Sequence, residues 1–225
     1  MVVSDTGSGH VFLARLGADE VTALRSRGVP RHFERGATLM HHDEVPGRVL
    51  VIEQGHAKVT LLAEDGKEVV LAFRGPGDLL GEVSALGGEP RSATVRAIDP
   101  IDALAVAAGD FDALLEAHPR IALVVLRVVI ERLREANHRQ FEFAAYHTLG
   151  RVARSLVELA ERFGEPHDDG VRITLGISQE ELAGYAGASR EATSKALHDL
   201  REMSLIETER RHITVRSVDE LRRIA

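Results

Sequence analysis

An acidic residue and an Arg-Ser pair lie nine residues apart in a Gly-rich, largely apolar stretch of the chain. The stretch GEVSALGGEPRSATV (residues 81–95) carries Glu82 near its start and Arg91-Ser92 further on. A guanidinium fork can bind a phosphate group, and a carboxylate can accept a hydrogen bond from a hydroxyl group. Spacing alone favours an ordinary salt bridge between Glu82 and Arg91 across a loop. The alternative is that both groups face a bound anion.

A second set of chemically suggestive residues lies where two helix starts follow one another. Ser178 and Glu181 have the spacing of a capping box, which begins a helix. That helix meets Gly187, and Ser189 can cap a second helix immediately afterwards. Two helices joined by a short turn with glycine are typical of the helix-turn-helix. The residues predicted to fill the space between the helices are Leu182, Ala183, Ala186, Ala196 and Leu200.

The start of the second helix suits base recognition in a DNA major groove. Arg190 and Lys195 can donate to guanine, and Glu191 can accept from cytosine. Such charges alone would more often belong to a solvated helix face. Here the capping box, the turn glycine and a following β-hairpin, whose tip offers arginines for phosphate contacts, occur in the order of a winged helix-turn-helix. The predicted DNA-binding residues are Ser178, Gln179, Ser189, Arg190, Glu191, Ser194, Lys195, Arg210 and Arg211.

The region before these helices has the pattern of an antiparallel β-roll. After a predicted helix over residues 18–27, short apolar runs alternate with turn signals such as Glu64-Asp65-Gly66 and Gly75-Pro76-Gly77-Asp78. Many short strands at this spacing are typical of a roll or barrel. The predicted strands cover residues 38–40, 48–53, 57–62, 68–74, 93–98 and 101–106.

A long helix is predicted after Pro119, because neither Gly nor Pro occurs again until Gly150. Its apolar residues step by alternating fours and threes, which is the repeat of a coiled-coil seam. The stripe could pack on the chain's own roll, but both faces of residues 121–130 are apolar and one roll covers only one face. We therefore predict a homodimer. Its predicted interface residues are Leu126, Val129, Leu133, Ala136 and Gln140.

Together these patterns predict an α+β chain in three parts. The parts are a β-roll sensor (residues 11–118), a long dimerisation helix (119–145) and a winged helix-turn-helix (146–225). The last part has 12 basic against 14 acidic residues, so one copy should bind DNA weakly. Two copies held one helical turn apart would multiply the contacts.

Composition narrows the possible functions further. The chain has 225 residues, no cysteine and a net charge of -7. The lack of cysteine excludes disulfides, thiolate metal sites and cysteine nucleophiles, and the acidic charge disfavours a general polyanion binder. Because no apolar run reaches membrane-spanning length and the first residues lack a signal-peptide pattern, we predict a soluble, cytoplasmic protein without a membrane partner.

The order of roll, long helix and winged helix-turn-helix resembles the superfamily of the cyclic-AMP receptor protein and the fumarate-nitrate regulator (Crp/Fnr). Gly81-Glu82 and Arg91-Ser92-Ala93 look like its phosphate-binding cassette, and Ser189-Arg190-Glu191 with Lys195 looks like its base-reading helix. The resemblance implies that Arg91 and Ser92 bind the phosphate of a cyclic nucleotide, with cyclic AMP the first choice. Glu82 would accept from the ribose 2'-hydroxyl. The implied effector residues are Gly81, Glu82, Val83, Arg91, Ser92, Ala93, Leu133, Ala136 and Asn137.

One position departs from the cyclic-AMP-responsive members of this superfamily. They meet the purine with Thr-Ser or Thr-Asn on the long helix, whereas this chain has Ala136-Asn137. Weaker binding, a different cyclic nucleotide and an effector-independent regulator therefore all stay open. The absence of cysteine excludes the superfamily's iron-sulfur sensors, and no histidine stands out as a haem ligand. We predict no metal site and no cofactor.

The function that the resemblance implies is allosteric transcription regulation. A dimer would bind a palindrome with half-sites like TGTGA, and RNA polymerase would be a further partner. An enzyme, such as a nucleotide hydrolase, is a rival interpretation, but the sequence shows no persuasive metal cluster or nucleophile beside a base. Another rival is a nucleotide-sensing module that regulates a partner protein and does not bind DNA.

Overall fold

The computed structural model describes residues 11–168 and 170–224 as two compact units. The first unit runs to Leu61 and resumes over Ala72–Ala136, and the second combines Leu62–Leu71 with the chain from Asn137 onwards. The long helix therefore contributes residues to both units. The division into residues 11–118, 119–145 and 146–225 stays a prediction.

The N-terminal strands form the predicted roll from two four-stranded antiparallel sheets. The strand orders are β1-β8-β3-β6 and β2-β7-β4-β5. The elements are a 3-10 helix (Leu13–Arg15), α1 (Ala18–Arg27), β1 (Gly28–Phe33), β2 (Thr38–Met40), β3 (Arg48–Gln54), β4 (Ala57–Leu62), β5 (Glu68–Arg74), β6 (Leu79–Leu80), α2 (Glu82–Gly87), β7 (Thr94–Ala97), β8 (Ile101–Ala107) and α3 (Ala108–Ala117).

The two faces of β3 show how the roll is filled. Successive side chains of a strand point to opposite faces of its sheet. Leu50 and Ile52 are buried in a cluster that includes residues from both sheets. Val49 and Val51 are buried in a second cluster, with residues of α1, α3 and the long helix. Because both faces are covered, the strand reads as a continuous apolar run.

The long helix α4 (Pro119–Ala145) has two apolar faces with different surroundings. Its buried face, which includes Ile121 and Val125, packs against the roll. The opposite stripe is left open, with Leu126 exposed to 53% and Leu133 to 60%. One roll thus covers only one face. No helix among residues 11–168 and 170–224 is long and apolar enough to cross a membrane.

The second unit is built around helix α5, whose apolar face is deeply buried. Its strands form one sheet in the order β11-β12-β10-β9. The elements after α4 are α5 (Thr148–Phe163), β9 (Gly164–His167), β10 (Gly170–Ile173), α6 (Gln179–Tyr185), α7 (Arg190–Glu202), β11 (Ile206–Glu209), β12 (His212–Val215) and α8 (Val218–Ile224).

The predicted capping box is confirmed at the start of α6. The Ser178 hydroxyl accepts from the Glu181 amide at 3.2 Å, and the Glu181 carboxylate accepts from the Ser178 amide at 2.7 Å. Ser189 caps α7 in the same way, accepting from the Ala192 amide at 3.1 Å. The predicted fillers Leu182, Ala183, Ala186, Ala196 and Leu200 are all buried.

Several short elements differ from the sequence prediction. The segment after Gly81, expected as a short loop, contains helix α2. The sequence prediction misses the hairpin β9–β10, because β9 contains Pro166 and only the short run Val171-Arg172-Ile173 in β10 alternates apolar and polar side chains. Its strand β10 forms by pairing with β12, which is distant in sequence. Pairing of this kind is not readable from local pattern.

Candidate effector pocket and DNA-binding surface

The cassette residues surround one pocket in the first unit. The pocket holds about 100 Å³ and is lined by all six residues predicted from residues 81–95. These residues are Gly81, Glu82, Val83, Arg91, Ser92 and Ala93. Other lining residues include Met40, Val59, Arg74 and Arg132. Strand β6, helix α2 and the segment before β7 position the cassette.

Arg91 is a buried cation whose hydrogen-bonding capacity is only partly used. Its guanidinium group donates to the main-chain carbonyls of Gly81, at 2.9 Å, and of Arg48. Within the described residues, no atom accepts from the buried Arg91 Nε. Burial lowers the pKa of Arg91, and the charge of Arg48 adds to this effect, while Glu44 and Glu82 oppose it. A bound anion would stabilise this charge.

Gly81 makes room for the Arg91 side chain. Its φ is +82°, in the left-handed region that favours glycine. A Cβ atom at this position would lie 2.6 Å from Arg91 Nη1. The contact in the structure is with the phosphate-binding candidate Arg91.

Glu82 is paired with the long helix and not with Arg91. Arg132 Nη1 donates to Glu82 Oε1 at 2.6 Å, and Arg132 Nη2 donates to the Leu79 carbonyl at 2.8 Å. The expectation of a Glu82–Arg91 salt bridge is therefore wrong. The Glu82 side chain is only 3% exposed, and a carboxylate has acceptor capacity beyond one hydrogen bond. Glu82 thus accepts a hydrogen bond from Arg132 of α4 and retains acceptor capacity for a ligand hydroxyl.

Arg132 is a pocket residue that the sequence prediction missed. Its signal was present, because Arg132 lies next to Leu133 and four residues before Ala136 on the expected helix. The predicted effector residues Leu133, Ala136 and Asn137 are exposed on α4 and do not line the pocket. The difference arises because the orientation of α4 about its axis places Arg132 at the pocket and leaves the three predicted residues exposed. The local sequence pattern does not determine this orientation.

The predicted base-reading residues share the open side of α7. Arg190, Glu191, Ser194 and Lys195 are all exposed, while Ala196 and Leu197 are buried. The pKa of Glu191 is lowered by its main-chain amide first, and then by the Ser189 hydroxyl and the Arg190 charge. This side of the helix therefore offers cationic donors and an ionised acceptor, which base edges require.

The turn between α6 and α7 is held by groups from the end of α4 and the start of α5. Gly187 has φ +59°, and a Cβ atom there would lie 2.4 Å from the Phe143 ring. The Arg151 guanidinium donates to the carbonyls of Tyr146, Ala186 and Gly187 at 2.8, 3.0 and 3.1 Å. These contacts explain why the turn needs glycine and how its position is fixed.

The remaining DNA-binding candidates border a slot beside the hairpin β11–β12, which is the wing. Ser178 and Gln179 at the start of α6, with Arg210 and Arg211 at the wing tip, line this slot of about 250 Å³. The nine predicted residues thus fall into two groups, one on α7 and one around the slot. In residues 11–168 and 170–224, no group of three or more His, Asp or Glu side chains is placed to hold a metal ion.

Comparison with known proteins identifies the family of both parts of the chain. The chain matches the family models of the cyclic nucleotide-binding domain over residues 30–118 and of the Crp-like helix-turn-helix domain over residues 150–224. The CRP-like cAMP-activated global transcriptional regulator of Mycobacterium tuberculosis is 34% identical over 208 residues, covering 91% of this chain and 92% of that protein. The cAMP-activated global transcriptional regulator CRP of Salmonella typhimurium is 29% identical over 181 residues, which are 80% and 85% of the two chains.

Solved structures share the fold at lower sequence identity. A CRP-family transcriptional regulator from Thermus thermophilus is 25% identical, with a TM-score of 0.74 and coverage of 86% of this chain and 95% of that chain. The c-di-GMP responsive global regulator CLP of Xanthomonas campestris is 19% identical, with a TM-score of 0.77 and coverage of 89% and 100%. The predicted fold class is confirmed.

Proposed function

The chain belongs to the Crp/Fnr superfamily of DNA-binding transcription regulators, and from this premise we propose that it is a homodimer controlled by a cyclic nucleotide. The proposed DNA target is a palindrome with half-sites like TGTGA, and RNA polymerase is the proposed protein partner. The members of this superfamily regulate transcription and are not enzymes. Cyclic AMP is the first candidate effector, in line with the relative from Mycobacterium tuberculosis that is described as cAMP-activated.

The observation that carries the effector proposal is the state of Arg91. Its charge is buried, and its Nε lacks an acceptor among the described residues. Buried charges are expensive unless they are paired and hydrogen-bonded. A cyclic phosphate supplies one negative charge and acceptor oxygens, and Glu82 can accept from the ribose hydroxyl beside it. Both requirements of the ligand are met within one pocket.

The pocket size indicates that binding changes the long helix. Ligand sites typically hold about 300–1,000 Å³, whereas this pocket holds about 100 Å³. We therefore expect a nucleotide to displace some lining side chains when it binds. Arg132 is the lining residue from α4, and its ion pair with Glu82 ties α4 to the pocket. Effector binding would favour the position of α4 in which the pocket binds the ligand more tightly, because a ligand shifts a conformational equilibrium toward the state that it binds better.

The dimer proposal rests on the open stripe of α4. Leu123, Leu126, Ile130 and Leu133 are exposed at steps of three and four residues. This spacing forms one continuous seam on a helix. Of the five interface residues predicted from the sequence, Leu126, Leu133, Ala136 and Gln140 are exposed, whereas Val129 packs against the core of the roll. A second copy of the same helix presents the same seam, so the two can pair about a two-fold axis. The dimer would then present two α7 helices, one for each half-site of a palindrome.

The test of the proposed function is a titration followed by DNA binding. Purified protein is titrated with cyclic AMP and with cyclic GMP, and binding to a TGTGA palindrome is measured with and without each nucleotide. We expect one nucleotide to bind and to raise affinity for the palindrome above that for a scrambled duplex. DNA binding unaffected by either nucleotide would support an effector-independent regulator. No preference for the palindrome would contradict the proposed half-site.

Replacing Arg190 with Ala should weaken palindrome binding by about 1–3 kcal/mol, because a base-edge contact from the recognition helix is lost. Binding to a scrambled duplex should change little, which fluorescence anisotropy on both duplexes would measure. Arg223→Ala, at another exposed arginine of the same unit, is the matched control. Equal palindrome affinity of the wild type and Arg190→Ala would remove Arg190 from base reading.

A further inference from the structure

The tip of the wing carries two exposed arginine side chains. Arg210 and Arg211 form the two-residue loop between β11 and β12. Within the described residues, neither guanidinium group has a hydrogen-bond or ion-pair partner. Both side chains line the slot beside the start of α6. They are therefore available to a ligand that approaches the side of the unit where this slot lies.

The rest of the wing is braced, and its negative charges are neutralised. Glu209 is paired with Arg172 of β10 at 2.5 Å, and Glu207 is paired with Arg216. The wing is also part of a four-stranded sheet, through β12 and β10. The two carboxylates that would repel DNA are thus matched by neighbouring arginines. The positive charge of the tip is not neutralised by these ion pairs, and the sheet supports the hairpin that carries it.

Arg211 adopts a backbone conformation that its side chain disfavours. Its φ is +65°, and a left-handed conformation is costly for residues with a Cβ atom. Hairpin loops of two residues usually place Gly or Asn at such positions. The backbone of Arg211 is therefore locally strained, and residues with such strain cluster at ligand-binding sites. The strain singles out Arg211 from its neighbour Arg210.

The length of the wing suits a contact beyond the major groove. A strand of four residues, such as β11, extends about 13 Å, and the arginine side chain at the tip adds the remaining reach. The minor groove next to a bound recognition helix lies about half of a 34 Å helical turn away. A narrow minor groove, as in an A-tract, has an enhanced negative potential that attracts arginine. An exposed cation at the tip of the hairpin β11–β12 matches this target.

We propose that Arg211 enters the minor groove beside each half-site and makes the protein prefer A-tract flanks. This inference rests on the proposed function, because α7 must first occupy the adjacent major groove. The contact reads the width of the groove and not individual base edges. Arg210, in the same loop, contacts phosphate. The two arginines therefore differ in what they contribute to sequence preference.

The test uses duplexes with identical TGTGA palindromes and either A-tract or G·C-rich flanks, at two salt concentrations. We expect the wild type to prefer A-tract flanks by about fivefold to tenfold, a preference within the range of single-position readout. Arg211→Ala and Arg211→Gly should both abolish the preference, while Arg211→Gly leaves the thermal unfolding temperature equal or higher. Arg210→Ala should keep the preference and lower the salt slope by about one.

Two outcomes separate this inference from the proposed function. A TGTGA preference combined with equal affinity for both flanks, or with a flank preference that survives Arg211→Ala, overturns the role of Arg211 alone. An Arg211-dependent flank preference without discrimination between palindrome and scrambled core overturns the half-site and keeps the role of Arg211. Uniform weakening on both flanks by Arg211→Ala would make this residue a phosphate contact.

Discussion

Replacing Leu126 with Asp is expected to lower palindrome affinity by about 10²–10⁴-fold, the range that linking two binding modules supplies. Leu126 lies in the open stripe of α4 and is 53% exposed in the single chain. In the proposed dimer the new carboxylate would be buried without a partner, which strongly disfavours association. Each monomer would then hold one winged helix-turn-helix, in a part of the chain with slightly more acidic than basic residues.

Analytical ultracentrifugation measures the oligomeric state of the Leu126→Asp protein, and fluorescence anisotropy measures its affinity for the palindrome. The control is Val45→Asp, which introduces the same side chain in place of an exposed apolar residue outside α4. It should leave the protein dimeric and its palindrome affinity close to that of the wild type. A Leu126→Asp protein that sediments as a dimer would show that this stripe does not form the interface.

Replacing Arg91 with Ala should weaken cyclic nucleotide binding by about 2–5 kcal/mol, the cost of removing one partner of a buried charge pair. The loss has two sources. The ligand phosphate loses its cation, and the carbonyls of Gly81 and Arg48 lose the donor that holds them. Arg91→Lys should recover only part of the affinity, because an ammonium group keeps the charge but lacks the planar fork.

Calorimetric titration of each variant gives the affinities directly. Arg96→Ala is the matched control, since Arg96 is exposed on the neighbouring strand and does not line the pocket. Thermal unfolding of the unliganded proteins separates loss of ligand contact from loss of the roll. If the Arg91→Ala roll unfolds like the wild type and binds the nucleotide as tightly, the phosphate is held elsewhere.

Local chemistry in the sequence was sufficient for the helix-turn-helix and for most of the roll. The Ser178–Glu181 box and the turn at Gly187 depend on contacts within a few residues, so their spacing carries the information. The same holds for the strands, whose ends are marked by turn residues such as Gly75-Pro76-Gly77. By contrast, the hairpin β9–β10 is missed, because β9 contains Pro166 and β10 is short and pairs with β12, which is distant in sequence.

Of the residues that line the effector pocket, the sequence predicted only those of the cassette, residues 81–95. Glu82 and Arg91 lie in one short stretch, and their residue types indicate an anion and a hydroxyl group. Arg132 comes from α4, 50 residues after Glu82. Its role depends on the rotation of that helix against the roll. The sequence placed a pocket contact near this point of the helix but favoured Ala136 and Asn137, which are exposed.

The Glu82–Arg132 ion pair gives one carboxylate two proposed roles. The carboxylate proposed to recognise the sugar is also the anchor of a helix that continues without interruption to Ala145. If the proposed mechanism holds, one functional group would both bind the ligand and act on the helix, without intermediate side chains. A metabolite that carried the phosphate but lacked the sugar hydroxyl would occupy the pocket silently, as a competitive antagonist.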